Sequence, residues 1–213
     1  MKRFIILIGV VLFLVACTYE GSGETNKNKK ESSGQGASAS TVKVEPAKLS
    51  EREQSLVNQI GGDYQTFYTI DGKVEEGDIL VTSIVVIKEG EKGEEVLSSV
   101  AGTMDQKKFK KDLHSFQVQV EEEATYLTIG SPNGYARGST TIPDNITSFL
   151  FEQKEEEVKI KKGEPIYIGY LIGSSQSSMS IQANDDLTTL PKSVKEAEYA
   201  AVFKVELKEE KDL

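Results

Sequence analysis

Alternation of apolar and polar residues is the feature that most constrains what this chain can fold into. In the segment HSFQVQV, His114 and the apolar residues fall on one face, and serine and glutamine fall on the other. Successive side chains of a β-strand point to opposite faces, so this period of two predicts half-buried strands. The same period begins after residue 63 and predicts a mainly β domain.

Nine or ten strands follow from this pattern. Turn signals separate the strands, most clearly at Glu89–Gly93 and at Ser131–Gly134. We expect an antiparallel β-sandwich of jelly-roll or immunoglobulin-like type, with an open barrel as the alternative. The charged segment 104–113 is expected to form one helical turn or a loop. The strand segments are DILVTSIVVIK, EEVLSSVAG, HSFQVQV, TYLTIG, YARGSTTI, SFLFEQ, EVKIKKG, PIYIGYLIG and EYAAVFKVEL.

One short N-terminal helix is predicted ahead of the strands. Ser50 with Glu53 three residues later makes a capping box, and Gly61–Gly62 ends the segment. The helix should therefore cover residues 51–60. Its apolar stripe, which we expect to dock on the core, consists of Leu56, Val57 and Ile60.

The first sixteen residues have the layout of a signal peptide. Lys2 and Arg3 form a basic start, and Phe4–Ala16 contains thirteen residues without a polar side chain. A helix of that length reaches roughly 20 Å, which is short of the ~30 Å hydrocarbon core of a bilayer. The segment is therefore expected to be a cleaved signal rather than a membrane span.

The end of this segment carries the chain's single cysteine. Leu14-Val15-Ala16-Cys17 resembles the lipobox of bacterial lipoproteins. The resemblance covers only the first 17 residues. It implies that Cys17 carries a diacylglyceryl group after cleavage of the bond between Ala16 and Cys17. Two acyl chains give stable anchoring, so the partner implied at this end is the membrane.

A polar stretch follows the cysteine. Thr18–Glu45 is rich in Gly, Ser, Lys, Asn and Glu and has too little apolar surface to fold. The expected organisation is a signal peptide over 1–16, a lipidated tether over 17–45 and a β-domain over 46–213. Such long tethers resemble those of Gram-positive lipoproteins, which indicates the extracytoplasmic face of the cell membrane.

Charge and composition argue against several functional classes. The net charge of −9 repels phosphate backbones, so we expect no nucleic-acid partner. His114 is the sole histidine, which leaves no multi-histidine metal centre, and we expect it to be a structural histidine with satisfied hydrogen bonds. With Cys17 lipidated, no cysteine nucleophile remains, and neither G-x-S-x-G nor a phosphate-binding glycine loop occurs. A non-enzymatic protein without cofactor or metal is the expectation.

A catalytic site made of carboxylates is not excluded by the composition, because the chain contains 34 Asp and Glu residues. A carboxylate-dependent extracytoplasmic hydrolase therefore stays an alternative. One group could offer oxygen ligands to calcium, although it lacks the regular spacing of a calcium loop. This group consists of Asp71, Glu75, Glu76 and Asp78.

Tyr135 and Arg137 are the candidate ligand-binding residues. Arginine offers a planar fork to carboxylates, phosphates or sugar hydroxyls, and tyrosine offers a flat amphipathic face. The alternative for Arg137 is an ion pair with an acid on a neighbouring strand. We expect an anchored module that binds an envelope protein or a cell-wall polymer. A small-ligand carrier with an apolar cavity is the third possibility.

Overall fold

The structure is a computed structural model that describes residues 39–103, 106–122, 124–181 and 186–213. The expected signal peptide, the lipidated Cys17 and most of the tether lie outside the described residues. The described part has a mainly β architecture with eleven strands, two α-helices and one 3-10 turn. In chain order these are β1 (Thr41–Pro46), α1 (Glu51–Ile60), β2 (Tyr64–Lys73), β3 (Asp78–Lys88), β4 (Glu94–Ala101), β5 (Lys108–Val120), β6 (Thr125–Ser131), β7 (Gly134–Thr140), β8 (Ser148–Gln153), β9 (Val158–Ile160), β10 (Ile166–Ser174), α2 (Lys192–Lys195), β11 (Tyr199–Glu209) and the 3-10 turn Glu210–Asp212.

The strands form two antiparallel sheets. The six-stranded sheet has the order β7-β6-β5-β2-β1-β9, and the five-stranded sheet has the order β4-β3-β11-β10-β8. Three neighbouring pairs are hairpins, namely β3–β4, β5–β6 and β6–β7, while β2 pairs with β5 and β11 pairs with β3 across longer stretches of sequence. The two long central pairings therefore hold together parts of the chain that are far apart in sequence.

One core contains side chains from both sheets. Phe116 of β5 and Phe203 of β11 are fully buried, and their ring centroids are 4.7 Å apart in a stacked arrangement. On β5 the alternation that predicted the strand is confirmed, because His114, Phe116 and Val118 are all buried. Burial of these aromatic and aliphatic side chains is the main favourable contribution to folding.

The five-stranded sheet is also covered on its other face. Tyr170 and Ile172 belong to a second cluster with Val194 and Ala197 from the segment around α2. A register shift between Tyr167 and Gly169 in β10 changes which residues face the main core. Strand β10 is therefore buried on both sides, which explains its nearly continuous apolar sequence.

The expected boundary between tether and domain needs correction. Residues 41–45, which we assigned to the tether, form most of β1, which pairs with β2 on one side and β9 on the other. Val42 and Val44 are buried in the main core. The short TVKVE alternation forms a strand because β2 pairs with all of it, although its average composition is polar.

The helix expectation is partly wrong. Ser50 Oγ accepts a hydrogen bond from the Glu53 N–H, and a Glu53 carboxylate oxygen accepts one from the Ser50 N–H at 2.7 Å, so the capping box is present. However, no residue of α1 is buried, and Ile60 is 82% exposed. Local caps stabilise this helix within the β1–β2 connection without docking on the core.

Two further findings concern the charged segment and helix length. We expected a helical turn or a loop over 104–113, but residues 108–113 extend β5 along β2 as far as the Lys73–Lys108 pair. The long β2 partner supplies the hydrogen bonds that make this extension a strand. Neither α-helix in the described ranges has the length and apolar character needed to cross a bilayer.

Candidate functional site

The β6–β7 hairpin ends in a tight turn. Seven register pairs join its strands, from Thr125 with Thr140 to Ser131 with Gly134. At the tip, Ser131 Oγ donates a hydrogen bond to the Gly134 carbonyl oxygen at 3.2 Å. Gly134 has a φ of 139°, a conformation that side chains with a Cβ rarely adopt. The tip is therefore a well-supported scaffold for the side chains beside it.

Tyr135 and Arg137 both project from this hairpin into solvent. They occupy alternate positions on β7, so they share one face of the strand. Tyr135 is 77% exposed, which is unusual for a large aromatic side chain. The two residues selected from the sequence thus lie side by side on an outer surface.

Arg137 contacts a neighbouring aromatic ring rather than an acid. Its guanidinium carbon lies 4.2 Å from the centroid of the Tyr126 ring, a cation–π geometry. One of its terminal nitrogens donates to the Gln119 side-chain oxygen at 3.5 Å. Across the described ranges Arg137 makes no ion pair, so the alternative of a pairing with a cross-strand acid does not explain this residue. The guanidinium therefore lies over the Tyr126 ring on an exposed part of the hairpin.

A pocket of about 260 Å³ opens behind the same hairpin, between the two sheets. It is built from the β6–β7 tip and the start of β7, one residue of β3, the end of β4, one residue of the β4–β5 connection and one residue of β5. We call it the hairpin pocket. Its lining residues are Thr82, Ser99, Val100, Ala101, Gln106, His114, Ser131, Pro132, Asn133, Gly134, Tyr135 and Ala136.

His114 belongs to the lining of the hairpin pocket. It is only 3% exposed, and its ring stacks on Tyr68 with a centroid separation of 5.5 Å. Burial lowers the pKa of His114 to about 4, against the opposing charge of Asp112. The imidazole is therefore neutral near pH 7, with one donor and one acceptor nitrogen.

The hydrogen bonding of His114 differs from the expectation for a satisfied structural histidine. Neither ring nitrogen has a hydrogen-bond partner among the residues that the structure describes, and the hydroxyl of the stacked Tyr68 also lacks one. Burial raises the pKa of Tyr68, so this hydroxyl stays protonated. Most buried polar groups are paired, and of the buried side chains without a partner in the described ranges, His114 is the one that lines the hairpin pocket.

The acidic group considered for calcium is organised by ion pairs. Glu75 bonds Lys73 at 2.6 Å, and Asp78 bonds both Lys162 and Ser40 at 2.6 Å. Within the described ranges no group of three or more His, Cys, Asp or Glu residues is placed to hold a metal ion. These carboxylates stabilise the end of the sheets where β1 and β3 begin.

The hairpin pocket itself was not foreseen from the sequence. Its members come from β3, β4, β5 and the β6–β7 turn, which are brought together only by the packing of the two sheets. The one available signal was the lone histidine on an apolar strand face, and we assigned it a structural role. The turn and Tyr135 were recognised, but as an outer surface and not as the rim of a pocket.

Comparison with known proteins gives one match. A family model described as the YgaN domain matches residues 43–207, which run from β1 to β11 and include the whole hairpin pocket. No curated protein and no solved structure matches the chain.

Proposed function

The chain belongs to the YgaN domain family, and we propose that this member is a lipid-anchored binding module on the extracytoplasmic face of the cell membrane. Its partner is an envelope protein or a cell-wall polymer. The proposal joins an anchor inferred from the N-terminal sequence to a binding surface inferred from the β-domain.

Support for the anchor comes from residues 1–17. A basic start, a short apolar run, small Ala16 and Cys17 occur in the order that lipoprotein signals require. The thiol is the only one in the chain, so lipidation leaves no unpaired cysteine exposed to oxidation. The lipid attached to Cys17 would hold the module at the membrane surface.

The observation that carries the binding proposal is the exposed Tyr135 beside Arg137 on the β6–β7 hairpin. Tyrosine and arginine are enriched where proteins bind partners, because both offer large contact areas with polar tips. The tight turn at Ser131–Gly134 limits the conformational freedom lost on binding. A surface of this kind favours binding of a partner over catalysis.

We also propose that the two sheets form a sandwich of the immunoglobulin-like or jelly-roll type. Support comes from the main core, in which residues of both sheets interdigitate, as Phe116 and Phe203 do. The carrier alternative has less support. The cavity beside Tyr68 and Ile168 measures only about 10 Å³, which is roughly the space needed for one water molecule.

The hydrolase alternative also has less support. The surface depression that contains Glu75, Glu76 and Glu210 is broad, at about 780 Å³, and is lined by three lysines as well. Glu75 in this depression is ion-paired with Lys73. A general acid needs an environment that disfavours its charge, whereas lysines favour the charged carboxylate.

The anchor is tested by replacing Cys17 with Ala in the native host and fractionating the cells. We expect the wild type to partition with membranes and to carry lipid, and the variant to remain unprocessed and unlipidated. Cys17→Ser is the matched variant, and it should behave like Ala because lipid transfer needs sulfur. A variant that is cleaved at the same bond and carries lipid would contradict the proposal.

The binding surface is tested by recovery of envelope material with the full-length protein. We expect Tyr135→Ala and Arg137→Lys to lower the recovery of a specific partner by about tenfold, equivalent to about 1.4 kcal/mol. Leu213→Ala is the control, because it removes a similarly exposed apolar side chain at the C-terminus. Equal recovery by all four proteins would place the binding surface elsewhere.

A further inference from the structure

We infer that the hairpin pocket binds a neutral, hydroxyl-rich ligand, namely one ring of a carbohydrate chain. The inference deepens the proposed binding function and rests on it. It names the class of ligand that the pocket can bind. The exposed Tyr135 and Arg137 alone do not distinguish a protein partner from a polymer partner.

The absence of charge in the pocket is the first argument. Charged residues make up 28% of the chain, yet none of the twelve lining residues is Asp, Glu, Lys or Arg. His114 is neutral as well. A carboxylate or phosphate entering the pocket would lose hydration without gaining a counter-charge, and that loss is costly. A neutral polar ligand avoids this cost.

The direction of the hydrogen bonds is the second argument. Thr82 Oγ1 donates to the Ser99 carbonyl oxygen at 3.3 Å, and Ser131 Oγ donates to the Gly134 carbonyl oxygen at 3.2 Å. Both hydroxyl protons are thereby used inside the protein. The oxygen lone pairs of both hydroxyls remain as acceptors.

The two amides supply a further acceptor and also donors. Asn133 Nδ2 donates to Gln106 Oε1 at 2.9 Å, and Gln106 Nε2 donates to Asp112 at 3.0 Å. The Asn133 side-chain oxygen has no partner within the described ranges, so it is a further acceptor. The second N–H of each amide and the N–H of His114 are donors. A pocket that offers both acceptors and donors favours a ligand whose groups do both. Each sugar hydroxyl both donates and accepts, without carrying charge.

The floor and the rim of the pocket complete the match. A ligand hydroxyl that reaches the floor can pair with the imidazole of His114, which is otherwise buried without a partner. At the rim, the exposed Tyr135 ring offers a flat face on which a sugar ring can stack. The volume of about 260 Å³ lies just below the usual range for drug-sized ligands, which fits one ring and not a larger group.

The single histidine makes a direct test practical. We would purify the full-length protein in a detergent without a sugar head group and follow the His114 ring signals by NMR. The probes are neutral trisaccharides of glucose, N-acetylglucosamine and galactose, inorganic phosphate, and an uncharged pentapeptide. We expect a saturable shift with at least one trisaccharide, and none with phosphate or the pentapeptide.

Three variants link the shift to the pocket. Thr82→Val and Asn133→Ala each remove an acceptor and should weaken sugar binding by about tenfold. Ser98→Ala is the matched control, because Ser98 is next to Ser99 but on the solvent-facing side of β4. Thermal unfolding of each variant separates lost binding from lost folding, and Thr82→Val keeps the shape of the side chain if Asn133→Ala disturbs the turn.

The outcomes separate this inference from the broader proposal. Three results would overturn it: no saturable shift with any sugar, an equal shift with phosphate or peptide, or sugar binding that survives Thr82→Val and Asn133→Ala. If sugars fail while Tyr135→Ala still lowers partner recovery, the carbohydrate inference is wrong and the binding module stands. If partner recovery is also insensitive, the binding proposal fails with it.

Discussion

Acidification should destabilise the protein through His114. Burial lowers the pKa of this imidazole from its ordinary value of 6.5 to about 4. Between these two values the unfolded chain binds a proton that the folded protein refuses, so the free energy of unfolding falls as pH falls. The free energy of unfolding keeps its full His114 contribution above pH 6.5. This contribution begins to fall at that pH and is completely lost below pH 4.

The size of the effect follows from the two pKa values. At pH 5 the unfolded imidazole is almost fully protonated and the folded one is about one-tenth protonated, which corresponds to a loss of about 2 kcal/mol relative to pH 8. The complete loss below pH 4 is about 3 kcal/mol. These losses are a substantial fraction of the stability of a typical domain.

Urea unfolding at pH 8, 7, 6 and 5 measures this loss. His114→Phe is the control, because it keeps an aromatic ring beside Tyr68 and removes the only imidazole in the chain. The carboxylates are common to both proteins, so the difference between the two pH profiles isolates His114. The groups facing the ring are Asp112 on its own strand and Tyr68 on β2, which stays protonated, while Thr82 and Ser99 carry no charge.

We expect His114→Phe to lose about 2 kcal/mol less than the wild type between pH 8 and pH 5. Parallel profiles for the two proteins would refute the reasoning. If His114→Phe does not fold, NMR titration of the single histidine in the wild-type protein provides the test. A ring pKa near 6.5 in the folded protein would equally refute it.

Three further predictions concern the stability of the β-domain. Gly72→Ala should destabilise the protein far more than Gly77→Ala, which thermal unfolding of the two variants would measure. Both glycines have positive φ values, but a Cβ at residue 72 would also overlap the β1 backbone. Val44→Ala should cost about 2 kcal/mol in urea unfolding, because its side chain is buried in the main core, and no loss would mean that β1 is not part of the folded domain. Asp78→Asn should cost about 1–3 kcal/mol by weakening its bonds to a lysine and a serine, whereas Glu164→Gln, at an exposed ion pair, should change stability by under about 1 kcal/mol.

Strands were predictable where a segment carries a strong local signal of its own. The segment DILVTSIVVIK coincides with β3, since it is rich in β-branched residues and ends at a turn. Strand β1 was missed because two valines among polar residues do not stand out from the adjoining stretch. Its strand character depends on β2, which pairs with all six of its residues. A single-sequence pattern does not contain that information.

In the candidate site, too, local features were predictable and features that depend on distant strands were not. The turn at Ser131–Gly134 and the exposed Tyr135 are local features, and the sequence predicted them as a possible ligand surface. The hairpin pocket depends on which strands of the two sheets lie opposite each other, and no local pattern encodes that pairing. The apolar stripe of α1 illustrates the limit differently, because Leu56 and Ile60 at helical spacing indicate a face but do not say what it contacts.

The position of β1 has a mechanical consequence. Thr41 begins an interior strand that is bonded along six register pairs to β2 and along three to β9. A force that pulls on the N-terminal side of Thr41 along the strand would load both ladders in shear, so their hydrogen bonds resist together instead of opening one after another. For a protein held at its N-terminus, this arrangement would place strong mechanical resistance at the point where the load enters the domain. Forced unfolding depends on the barrier to rupture, and β1 is the strand whose ladders would set that barrier.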